Sequence, residues 1–297
     1  MIVISKAKTP HARGFTAVLQ FLGLTAGLAV LFSLLVLPWV DLSWWQVVRR
    51  CVSVASATSL WICIRYIEHR SFADYGLNWS KQGRRQLLFG ITLGIAALVA
   101  VFGGWLGSGE GELVISGNHL KLWRTLLGFV PAAALIGTLE ELVFRGYLLQ
   151  HFRRYSTFGA VVLSSALYSI VHVKNLDPRH IHSLELVGLF ILGCTLCAAY
   201  LWSERLWLSI SLHAVLAYGA RVNKLLFSVN PHYAWLIGTS RIINGMTSWG
   251  LLLLITGAIW LFMRRPGLRD GEKSPLRQSS SGMVIRRLVI DSQGGEI

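Results

Sequence analysis

Of 297 residues, 54% are hydrophobic and only 14% charged, against about a quarter charged in ordinary globular proteins. The mean hydropathy of +0.55 covers the whole chain rather than one segment, so lipid is the solvent for most of it. A net charge of +14 would suit a nucleic-acid partner, but the basic residues fall between apolar runs and in the tail, with no basic stripe interleaved with aromatics, and that pattern argues against nucleic acid.

An apolar helix needs about 20 residues to cross the hydrocarbon. In chain order, an N-terminal segment 1–14 precedes candidate spans at Phe15–Trp39, Trp44–Ile67, Gln86–Leu106, Leu122–Gln150, Phe158–Val173, Leu184–Trp202, Leu206–Val222 and Trp249–Met263. The pattern predicts an all-α polytopic membrane protein, about eight transmembrane helices in one bundle over 15–263. The first run is too long for a signal-peptide core and reads as a retained span. Arg49 and Arg50 make the second span the weakest. Gly107–His119, rich in glycine and charge, reads as a loop. The stretch 264–297, polar and basic around QSSSG, reads as a disordered tail. Cys51, Cys63, Cys194 and Cys197 all lie in or beside apolar runs. Packing suits them better than a disulfide, metal or redox role. Lys and Arg are more frequent in the tails and even-numbered loops than in the others, which predicts a multi-pass cell-membrane protein with both termini cytoplasmic.

Most ionisable residues flank the spans. Glu140, Glu141 and Arg145 instead sit inside the fourth, in PAAALIGTLEELVFRGYLLQ. A charge near the bilayer centre costs about 2.5–3.5 kcal/mol on insertion scales, so three need a compensating arrangement. Glu141 and Arg145 are one helical turn apart, the acid N-terminal to the base, the favoured order for a pair. Glu140 points about 100° away around the same helix, which leaves it available. Of nine histidines, only His172 and His213 fall within spans. If spans four and five form an antiparallel hairpin turning near Ser156, Glu140 and His172 are equally far from the turn and meet at one depth. His213 lies in the same half of the membrane. Tyr168, one turn before His172, shares its face and is placed to orient or shield the imidazole. In a low-dielectric pocket a carboxylate becomes a competent base for a bound water, and a histidine beside it can hold that water or donate to a developing oxyanion. The bland reading of the same residues is an ion-pair cluster that holds helices together.

Glu140-Glu141-x-x-x-Arg145, the aromatic-x-x-x-His of Tyr168 and His172, and SISLH ending at His213 together resemble the CPBP family, which comprises CAAX-type prenyl endopeptidases and bacteriocin-processing or immunity relatives. The likeness covers a catalytic core of about 122–222. It implies an intramembrane endopeptidase in which Glu140 and His172 activate water, Glu141 and Arg145 give support, and His213 helps to form the oxyanion hole. One departure is Ala217, where the family often has Asn or another polar residue. Ser209, on the same face as His213, is a substitute, as is Asn223 if the helix bends. Tyr168 stands where the family usually has Phe.

The implied partners are the lipid bilayer and a membrane-associated peptide, prenylated or a leader. Arg145, Arg221 and Lys224 are candidate contacts for its carboxylate. Water activation without a cofactor is expected. A divalent metal such as zinc is the alternative, since two His and one Glu leave a fourth position open, although no H-E-x-x-H is present. Two other function classes compete: a non-catalytic scaffold or bacteriocin-immunity protein of the same family, and a transporter or proton relay, against which the lack of visible inverted repeats speaks.

Overall fold

The computed structural model describes residues 10–115, 117–173, 183–229, 232–239 and 241–264. The predicted N-terminal segment up to residue 9 and the tail from 265 lie outside them. Helix α1 (Pro10–Val36) runs into a tight turn at Leu37–Trp39, where Pro38 has no N–H to continue the ladder. Ser43 opens α2 (Trp44–Ile62) through a capping box with Gln46, and a π-helical turn at Cys63–Ile67 ends it. Ser80 caps α3 (Lys81–Gly107) by accepting from the Gly83 amide. Helix α4 (His119–Glu141) widens into a π-helical stretch, Leu142–Leu148, and closes with the turn Leu149–Phe152. Ser156 then caps α5 (Thr157–Val171), followed by α6 (Ser183–Ser203), α7 (Trp207–Leu226) and α8 (Met246–Met263).

All eight predicted spans are helices, but they are not equivalent. Six are long and apolar enough to cross a membrane: Gly14–Trp39, Trp44–Ile67, Lys81–Gly107, His119–Phe152, Ser183–Ser203 and Met246–Met263. The 15 residues of α5 rise about 22 Å, short of the roughly 30 Å of hydrocarbon. Helix α7 spends much of its length on Ser209, Ser211, His213, Arg221, Asn223 and Lys224. These two less regular helices carry His172, at the end of α5, and His213, within α7.

The loop predicted over Gly107–His119 contains a strand, β1 (Gly111–Leu113), paired antiparallel with β2 (Phe227–Val229) in the register Gly111↔Val229, Glu112↔Ser228, Leu113↔Phe227. Three residues are too few for an alternation pattern to declare itself in sequence. A second difference concerns neighbours. Helix α4 packs chiefly along α7, and α5 along α6; α4 and α5 meet through the last turns of α4. The predicted hairpin therefore holds near its turn only.

The tightest core, Leu149, Leu196, Leu206 and Leu208 with Tyr75, Tyr147 and Tyr200, lies at the end of the bundle where α4 stops. There Glu68, just past α2, takes His151 of α4 at 3.1 Å and the Tyr75 hydroxyl. The second ring nitrogen of His151 faces the Tyr147 carbonyl at 2.8 Å. Burial pushes the Glu68 carboxyl up, but hydrogen bonds from His151 and Tyr75 outweigh it and hold it at about 2, against an ordinary 4.5. A lowered folded-state value stabilises above the unfolded value and is lost as pH falls through the folded one. Glu68→Gln should therefore lower the melting temperature of detergent-solubilised protein near neutral pH, and its deficit should shrink between pH 4.5 and about 2. A deficit that does not change across that window would show that the carboxylate's charge is not what pins α2 to α4.

Candidate active site

The site is assembled where α4 meets α7. Gly137 allows this contact: a Cβ there would come within 3.0 Å of the Ile210 carbonyl and 3.2 Å of the Ala214 amide. One turn after Gly137 comes Glu141, and one turn after Ile210 comes His213, so the close approach brings these two side chains together. Glu141 Oε1 accepts from Arg145 Nη1 at 2.7 Å and lies 2.9 Å from His213 Nδ1. Both members of the ion pair are fully buried.

Arg145 ties in the other two helices. Its Nη2 donates to the Gly193 carbonyl of α6 at 3.2 Å, and its guanidinium sits 4.7 Å from the centre of the Tyr168 ring of α5. Gly193 is again a close-contact position, since a Cβ there would fall 2.8 Å from the Ser165 Cβ. Ser164 of α5 meanwhile donates to the Phe144 carbonyl at 3.0 Å, within the π-helical stretch of α4. Wide turns of this kind recur at functional sites, and all seven of these residues are buried.

Glu140 faces a different direction from Glu141. Its Oε2 lies 3.6 Å from His213 Nε2 and 3.8 Å from His172 Nε2. The Glu140 and His172 side chains are 30% and 29% exposed, His213 only 5%. His213 thus faces the buried pair on one side and, on the other, a buried oxygen of the partly exposed Glu140.

His172 sits at the C-cap of α5, not inside a span as the sequence predicts. The helix stops there, and the imidazole takes up a carbonyl the ladder leaves unused: Nδ1 lies 2.7 Å from the Tyr168 carbonyl. A carbonyl only accepts, so Nδ1 carries the hydrogen and a neutral ring presents a bare Nε2 to Glu140. What orients His172 is therefore the Tyr168 backbone together with ring contact at 4.6 Å. The Tyr168 side chain is buried, meets the His213 ring edge-on and places its hydroxyl 3.4 Å from His213 Nε2.

The substitutes suggested for Ala217 lie elsewhere. Ser209 donates to the Leu206 carbonyl of its own helix at 3.0 Å. Asn223 follows His213 along an uninterrupted α7, about 15 Å farther on. Arg221 rests against the Phe129 ring, and Lys224 lies in the last turn of α7, so of the three candidate carboxylate contacts only Arg145 is in the cluster, where Glu141 already holds it. Among the described residues, no group of three or more His, Cys, Asp and Glu side chains is arranged to hold a metal ion. The four cysteines are free thiols. Gly137 and Gly193 escaped the sequence reading because a glycine in an apolar run does not declare which neighbour it admits.

Residues 122–219 match the family model described as type II CAAX prenyl endopeptidase Rce1-like. The likeness is confined to this core, about a third of the chain. The matched stretch runs from α4 into α7 and contains Glu140, Glu141, Arg145, Tyr168, His172 and His213. No curated protein matches the chain.

Removing one partner of a buried ion pair costs about 3–5 kcal/mol, because the other charge is left uncompensated. Arg145→Met should destabilise the protein by about that amount in denaturant titrations in mixed micelles. A loss below about 1 kcal/mol, the ordinary worth of an exposed pair, would show that Glu141 is neutralised by other means.

Proposed function

We propose that this protein is an intramembrane endopeptidase that hydrolyses a peptide bond of a membrane-associated peptide with a water held between Glu140 and His172. The observation that carries this reading is the convergence of Glu140 Oε2 on two imidazole nitrogens at 3.6 and 3.8 Å. Separations of this size let one water hydrogen-bond to the carboxylate and an imidazole together.

The steps follow from the protonation each group can hold. Glu140 takes a proton from the water as its oxygen attacks the scissile carbonyl carbon, while His172 Nε2 accepts the water's second hydrogen and fixes its direction. The carbonyl oxygen becomes an oxyanion. The C–N bond then breaks, and Glu140 returns its proton to the leaving amine. His213 acts on the oxyanion side. Glu140 and Glu141 against Arg145 leave one uncompensated negative charge, and an imidazolium at His213 brings the group to neutrality, which a low-dielectric site favours. That ring donates through Nδ1 to Glu141 and has Nε2–H for the oxyanion. A donor of this kind is worth about 10²–10³ in rate. No step requires a metal.

The family description points to a prenylated CAAX C-terminus as the substrate, and the distribution of Lys and Arg to both termini on the cytoplasmic side of the cell membrane. The test is cleavage of a farnesylated CAAX peptide by protein reconstituted in liposomes, read by product mass spectrometry. Glu140→Gln should reduce the rate by at least about 10² without changing the melting temperature, and a chelator should leave the wild-type rate unaltered. Cleavage by Glu140→Gln at the wild-type rate would remove the glutamate mechanism. Loss of activity on chelation, restored by zinc, would replace it with a metal-dependent one.

A further inference from the structure

We propose that the Tyr168 hydroxyl is a second donor to the oxyanion, so that the tetrahedral intermediate is held by the phenol together with His213. The proposal rests on the hydrolytic reading above and assigns the side chain a role distinct from orienting His172, which its backbone carbonyl already does at 2.7 Å.

Three observations carry it. The side chain is 1% exposed, and a phenol buried to that degree calls for a hydrogen-bond partner. The partner it has, His213 Nε2, is 3.4 Å away, longer than the roughly 2.7–2.8 Å of a tight O–H hydrogen bond. The hydroxyl is thus incompletely used at rest, as catalytic donors often are before the reacting complex forms. Second, His213 Nε2 is near both groups, at 3.4 Å from the phenol oxygen and 3.6 Å from Glu140 Oε2. A carbonyl attacked by the water on Glu140 can turn its oxygen to the side where His213 and Tyr168 lie. Third, the ring is fixed on three sides. Arg145 lies 4.7 Å from its centre, Phe144 meets it edge-on with centroids 5.3 Å apart, and His172 contacts it at 4.6 Å. A donor held this firmly needs little reorganisation as charge develops.

The phenol keeps a hydrogen to give in either state of His213. With His213 as imidazolium, its Nε2–H and the phenol O–H each have a hydrogen to give the oxyanion. With His213 neutral, its proton stays on Nδ1 against Glu141, Nε2 has none to offer, and the phenol is the donor that remains of the two. Ala217, one turn beyond His213, brings only a methyl group, and Ser209 is committed to the Leu206 carbonyl.

The experiment is steady-state kinetics of Tyr168→Phe on the farnesylated CAAX peptide in liposomes, beside wild type and Glu140→Gln. The substitution removes one oxygen and keeps the ring, so the packing on Arg145 and His172 is retained. The expected result is a fall in kcat of about 10² with KM within about twofold and an unchanged melting temperature; a peptide phosphonate mimicking the tetrahedral state should lose affinity by a similar factor. A wild-type kcat in Tyr168→Phe, with Glu140→Gln inactive, overturns this proposal and leaves the hydrolytic reading standing. A rise in KM at constant kcat assigns the hydroxyl to substrate binding and also overturns it. Cleavage by Glu140→Gln, or none by wild type, removes the reading on which it rests.

Discussion

A guanidinium without exposed surface can stay charged between membrane helices only while a carboxylate and further acceptors surround it. Arg145 has Glu141 on one nitrogen and the Gly193 carbonyl on another, and its central carbon lies over the Tyr168 ring. The partners come from α4, α6 and α5, and Glu141 extends the set to α7 through His213. Four helices are thus held in one relative placement by charge-assisted bonds. Water has little access there to compete for them, and the apolar contacts between membrane helices do not by themselves fix register.

This arrangement divides the two adjacent glutamates by environment. Glu141 has no exposure, and one of its oxygens serves both Arg145 and His213. Glu140, a hundred degrees round the helix, keeps nearly a third of its side chain accessible. The same chemical group is in one position fully buried against an arginine and in the next partly open to solvent. His213 couples the two, with one ring nitrogen toward each carboxylate, so a change in the buried pair reaches the open site through a single imidazole.

The helices that carry the histidines are the least membrane-like of the bundle. Helix α5 ends at Val171 and leaves His172 as its cap, and α7 is polar along one side. Helix α7 is enclosed by its longer neighbours, whereas α5 keeps an outward apolar face of Phe158, Val162, Leu163, Ile170 and Val171. Polar backbone and side chains at membrane depth are tolerated where protein rather than lipid surrounds them.

Composition alone determined that this chain is a multi-pass helical membrane protein, because burying so many apolar residues in lipid leaves helices as the way to satisfy the backbone. Spacing along one helix was enough to pair Glu141 with Arg145 and to set Glu140 apart, since the i to i+4 relation is a property of the helix itself. Order along the chain, with Tyr168, His172 and His213 following, marked a candidate site, and the residues concerned lie within the stretch that matches the family model. Tertiary structure decided the rest. That α4 lies on α7, with Gly137 as the contact, that α5 stops at His172, that the Gly193 carbonyl receives Arg145, and that the Tyr168 hydroxyl turns to His213 all depend on which helices are neighbours. A periodic pattern reports which side of a helix is apolar; it carries no record of the surface against which that side will pack.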